Sequence, residues 1–228
     1  MEAALNERTA HRIGATPRRA FIRRMAGVMS AALAALVARP SQAQPATQSS
    51  QPDWPGALKG RRRQLVDAYT INDGAPLEFA YTFLATNGAL GPDSAAATAV
   101  IVLRHAAFPI AVGDDIWRRY KIGEAFKLID PETKAPALKN PFLHPRAGIL
   151  PLDDMAVDRQ LAKGVVFGCC DVALKFQSRM LAGNAGVSAA EAAKEWAANV
   201  VPGIAILPSG VWGVNRAQEA GCTYCSGG

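Results

Sequence analysis

The chain is poor in the residues most chemistry needs. It has three histidines, four cysteines and 7% aromatic residues in 228. The familiar signatures are missing too: there is no phosphate loop, no G-x-G-x-x-G, no G-x-S-x-G and no H-E-x-x-H. Those absences argue against nucleotide enzymes, common hydrolases and the usual metalloproteases. No internal repeat is present, and the alanine-rich run from Ala26 to Ala38 is well short of the roughly 20 apolar residues a membrane helix needs. A charge excess is also lacking once the N-terminus is set aside. The whole chain has 25 Lys+Arg against 19 Asp+Glu, but residues 1–43 hold seven arginines and two acids, leaving 18 against 17. The basic balance belongs to the N-terminal segment, so nucleic acid is not an expected partner.

That segment has a pattern of its own. Pro17-Arg18-Arg19-Ala20-Phe21-Ile22-Arg23, followed by a short apolar run and by Ser41-Gln42-Ala43, reads as a twin-arginine export signal with a small-x-small cut site. An ordinary secretory leader with a chance Arg-Arg pair reaches nearly the same compartment. The expected location is therefore the periplasm, and the expected partners are the twin-arginine translocase and a signal peptidase. Residues 1–43 form the signal peptide, 44–60 a polar, proline-containing tether, and 61–228 one domain large enough to bury its own core.

Within the domain the periodicity switches between strand and helix. Gln64–Ile71, Ala99–Leu103, Val165–Cys169 and Ile204–Leu207 read as strands, with Cys222–Cys225 as a short last one. Helices are expected from Leu77 to about Asn87, after a cap at Asp114-Asp115, from Asp171 onward, after the Ser188–Glu191 capping box, and from about Val211 to Ala220. Asp153-Asp154 reads as another cap. Five prolines between Asp130 and Pro151 mark a long surface insertion, with His144 solvated inside it. Strands alternating with helices, without hairpin signals, predict an α/β fold: a three-layer α/β/α sandwich around a parallel sheet of about five strands.

Open parallel sheets bind ligands beyond the carboxyl ends of their strands. On these assignments that rim collects Thr70 and Asn72, Arg104 and His105, Cys169 and Cys170, Ser209, and Cys225. Cys170 would stand at the N-terminus of the helix that Asp171 begins, where unpaired N–H groups and the helix dipole favour thiolate; the alternative is a buried cysteine that merely packs. Cys169, its neighbour on an extended strand, would point to the other face. His105 is a candidate general base or ligand, or a histidine closing a strand. Arg104 is a candidate for holding an oxyanion, or pairs with an acid. For Cys169, Cys222 and Cys225 a structural disulfide or redox role is open, with Cys225–Cys170 or Cys222–Cys169 bridges between neighbouring strands. No metal is identified.

Val165-Val166-Phe167 running to Cys170-Asp171-Val172-Ala173-Leu174, then Ile206-Leu207-Pro208-Ser209-Gly210-Val211 and Gln218 to Tyr224, resembles the DsrE-like family of sulfur-relay proteins. The resemblance covers about Arg63 to the end. It implies a five-stranded parallel α/β/α fold, homo-oligomers, and a persulfide-bearing cysteine at the end of the third strand, which matches Cys170. His105 would then assist catalysis, with Arg104 and Ser209 binding substrate. The export leader, the Asp130–Pro151 insertion and the extra cysteines depart from the family pattern. The expected function is an exported carrier or transferase of sulfane sulfur. The alternative is a non-catalytic periplasmic domain that holds a metal or small ligand at a Cys/His rim, with structural disulfides.

Overall fold

The computed structural model describes Trp54, Gly56 and residues 58–89, 97–145 and 149–228; the expected leader, the expected cut site and most of the expected tether lie outside the described residues. Five strands form one sheet: β1 (Arg62–Ala68), β2 (Ala97–Leu103), β3 (Val166–Cys170), β4 (Ile204–Leu207) and β5 (Thr223–Ser226), in the order β4-β3-β2-β1-β5. Every pairing is parallel. The α/β class and the five-stranded parallel sheet are therefore as the sequence pattern implies. Strand ends move by a few residues: β1 stops at Ala68 because Asn72 and Asp73, both at positive φ, fold into a 3-10 turn.

The order of strands decides where the helices go. From β1 through β4 each connection steps one strand in the same direction, so right-handed crossovers put all the intervening helices on one face. These are α1 (Ala75–Ala89), α2 (Asp114–Arg119), α3 (Ile122–Ala125), α4 (Val157–Ala162), α5 (Asp171–Ala185) and α6 (Ala189–Ala198). The return from β4 to β5 runs the other way and carries α7 (Gly210–Glu219) to the opposite face. Side-chain alternation agrees. Val66, Ile101 and Leu103 join Leu77, Leu174 and Trp196 in a large core, while Leu65, Val100 and Val102 join Ala217 of α7 in a small one.

One helix cannot cover that second face. Trp54 and Leu58 complete the small core, with the Trp54 ring 6.4 Å from that of Trp212. The segment expected to be tether up to residue 60 thus belongs to the domain at its far end, because sheet area left bare by α7 has to be covered. Gly168 on β3 fits the same cover: a Cβ there would stand 2.4 Å from Leu207 Cδ1.

The proline-rich insertion is not a loose surface loop. Ala137, Phe142, Leu143 and Leu150 are buried in the large core. The buried Asn140 amide donates to the carbonyls of Ile110 and Val112 at 3.0 and 2.8 Å, and its oxygen accepts from the Phe142 amide. Asn140→Ala strands two buried carbonyls and one N–H, and is expected to cost about 3 kcal/mol in a urea unfolding curve.

Two expected caps are corrected as well. Gly113 occupies the cap position of α2; Asp114 accepts from the Asn140 backbone N–H and Asp115 pairs with Arg118. Asp153 and Asp154 lie in a 3-10 turn ahead of α4, whose cap position is Ala156, and Asp154 pairs with Lys163. The Ser188–Glu191 capping box forms in full. No helix among the described residues is long and apolar enough to cross a membrane.

Candidate functional site

Chain reversal marks one place on the sheet. After β3 the chain turns to α5 on the large-core face, and after the neighbouring β4 it turns to α7 on the other. Adjacent strands whose connections diverge leave a crevice at their carboxyl ends, the usual ligand position in such sheets. Cys170 and Ser209 flank it as N-caps. Cys170 Sγ accepts the Ala173 N–H at 3.2 Å, and Ser209 Oγ accepts the Trp212 N–H at 3.1 Å. Both side chains thereby satisfy helix N–H groups that lack partners within the helix. The Ser209 hydroxyl retains its proton as a donor.

Cys170 is 6% exposed and Cys169 fully buried, and both belong to the large core. Burial pushes the Cys169 thiol far above its ordinary value, with Cys170 and Asp171 adding to the shift. Cys169 therefore stays protonated and inert. Arg104 directly follows Leu103, the residue of β2 that pairs with Cys169 on β3.

The Arg104 guanidinium is already committed to an acid. Its Nε and Nη2 donate to the two oxygens of Asp67 at 2.6 and 2.8 Å, and it lies 4.8 Å from the centre of the Tyr69 ring. Asp67 is 3% exposed and also accepts from the Tyr224 hydroxyl at 3.0 Å. The hydrogen bond to Asp67 raises the Arg104 pKa further, against the opposing effect of burial. Of the two roles open to Arg104 from the sequence, the geometry displays the ion pair. Gly210 at the head of α7 packs on it so closely that a Cβ would meet Arg104 Cβ at 2.3 Å.

His105 opens a 3-10 helix (His105–Ala111) at positive φ, its ring stacked on Tyr69 at 4.2 Å and its carbonyl accepting from the Gln177 amide of α5. Partial burial lowers its pKa, and the Arg104 charge lowers it further. The imidazole is therefore neutral at pH 7 and able to accept a proton. Its ring titration, followed by NMR, is expected to centre below 6.5 and to move upward in Arg104→Gln. His144 is exposed and pairs with Asp158 at 2.9 Å, far from the rim in sequence and element.

The last two cysteines do not reach the crevice. β5 pairs with β1 at one edge of the sheet, so β2 and β1 separate it from β3. Three strand spacings amount to about 14 Å, twice what a disulfide spans. The bridges Cys225–Cys170 and Cys222–Cys169 are thus corrected by topology, and all four thiols are free. Cys222 is buried in the small core, which raises its pKa, and Cys225 is half-buried on the edge strand. Among the described residues no three His, Cys, Asp or Glu side chains converge.

Sequence reasoning missed Asp67, Tyr69 and Tyr224. An acid inside the otherwise apolar run Leu65–Ala68 was the available signal, since a charge in a buried strand needs a partner. Two grooves, of about 350 and 550 Å³, lie by the amino ends of the strands and contain none of the rim residues. The chain matches no family model, no curated protein and no solved structure.

Proposed function

We propose that the protein is an exported carrier of sulfane sulfur, with Cys170 holding one sulfur atom as a persulfide between a donor and an acceptor. One observation carries this reading: Cys170 Sγ receives an N–H at the head of a fifteen-residue helix, at the point where the connections of β3 and β4 diverge. The N–H groups at a helix N-terminus offer hydrogen bonds to the anionic outer sulfur of a persulfide formed there. The resemblance of the β3–α5 segment to the DsrE-like family supports the reading, and with it the expectation of a homo-oligomer. Pro17–Arg23 and Ser41-Gln42-Ala43 support delivery to the periplasm.

The chemistry needs no cofactor. With thiosulfate as donor, the Cys170 thiolate attacks the outer sulfur; a new S–S bond forms as the donor's S–S bond breaks, and sulfite leaves with the electron pair. An acceptor thiolate then attacks the outer sulfur of the persulfide and releases Cys170 as thiolate. Neutral His105 takes up a thiol proton when turnover requires it. A carrier adds only one sulfur atom at the rim, so the task needs no large binding cavity.

Intact mass spectrometry tests the proposal. Purified protein incubated with polysulfide should gain mass in steps of about 32 Da, one sulfur atom, and lose them on reduction. A mass unchanged by polysulfide would end the carrier reading.

A further inference from the structure

We propose that the outer face of α5 is a docking surface for a protein partner, different from this chain, that presents an apolar ridge bordered by carboxylates. Val172, Phe176 and Met180 are 59, 56 and 66% exposed. They follow at four-residue steps and form a single ridge along the helix. Scattered exposed apolar side chains are ordinary, but a contiguous run on one helix face marks an interaction site.

Gly183 extends the ridge. It lies eleven residues beyond Val172, three helical turns on, and so on the same side. The fold itself gives no reason for glycine there, since an added Cβ would meet nothing within 4 Å. Glycine inside a helix costs about 1 kcal/mol relative to alanine. What it allows is the close approach of another molecule's backbone.

The charges along the ridge choose the occupant. Lys175 is tied to Asp171 within the helix, and Arg179 beside the ridge has no acidic partner among the described residues. A second copy docked through the same patch about a two-fold axis would set Arg179 against its own equivalent. Like charges brought together select against that pairing, and a carboxylate-rimmed surface satisfies it. The ridge begins two residues from Cys170, so a partner seated on it stands beside the thiol. The inference rests on the carrier reading only for the purpose of docking, not for its existence.

The test uses the full chain in the cells that make it, with a photoreactive benzophenone amino acid replacing Phe176, or replacing exposed Leu138 on the insertion as a control. Irradiation should give an adduct from position 176 and none from 138, and the second component should be a different polypeptide. Arg179→Glu should lower its yield about tenfold, because attraction at the rim becomes repulsion. No adduct at 176, a second copy of this chain as the component, or a yield indifferent to Arg179→Glu overturns the proposal. Cys170→Ser should keep the adduct while losing the sulfur, so docking and carriage fail separately.

Discussion

Cys170→Ser is expected to abolish sulfur loading while leaving the fold intact. Serine is among the best N-cap residues, so its hydroxyl can take over the Ala173 N–H that the thiol now accepts. Stability measured by denaturant should therefore change by less than about 1 kcal/mol, which separates loss of the nucleophile from loss of structure. Loading at any other cysteine is disfavoured for stated reasons. Cys169 is fully buried and strongly held as a thiol, and Cys222 is buried beneath α7. Cys225 is half-buried on the edge strand, away from both capped helices. Cys169→Ser should load sulfur as the wild type does, although a hydroxyl placed in the large core should cost about 1–3 kcal/mol. Equal mass gain in wild type and Cys170→Ser would show that the sulfur sits elsewhere.

Asp67→Ala is expected to be the most destabilising change at the rim, at about 3 kcal/mol in a denaturant titration. The carboxylate is buried and takes two hydrogen bonds from Arg104 and one from Tyr224, so it joins β2 and β5 to β1. Removing it leaves a cation three-quarters withdrawn from water without its counter-charge. Partial exposure of Arg104 keeps the cost at the lower end of that seen for fully buried pairs. Tyr224→Phe removes a single bond and should cost about 1 kcal/mol. In the double variant the two effects should not add, because both act on one carboxylate. A loss below about 0.5 kcal/mol for Asp67→Ala would show that the pair contributes nothing net.

The candidate site was legible in the sequence where its geometry is local. A cysteine between an apolar run and an amphipathic helix becomes a helix cap whatever the rest of the chain does, since the N–H it receives lies three residues away. Ser209 and the Ser188–Glu191 box follow the same rule. Arg104 shows where that rule stops. Its residue type left an oxyanion site and an ion pair both open, because its partner Asp67 is 37 positions earlier and nothing in the local sequence joins the two. The insertion misled for a related reason. Five prolines and weak periodicity describe backbone irregularity, whereas Asn140 and Phe142 are core residues because of what they touch across the fold.

By itself, then, the sequence determined the alternation of strand and helix, the parallel sheet, the strand–helix junction at Cys170, and the near-neutral charge beyond residue 43. These depend on apolar period and on capping bonds that span a few residues. Only the tertiary structure decided the strand order. With it came the separation of Cys225 from Cys170, the divergence of α5 and α7 around the crevice, and the closure of the second face by Trp54. Strand order depends on which apolar faces meet and on the direction of each crossover. A run such as Ala99–Leu103, buried on both sides, looks the same beside any neighbour.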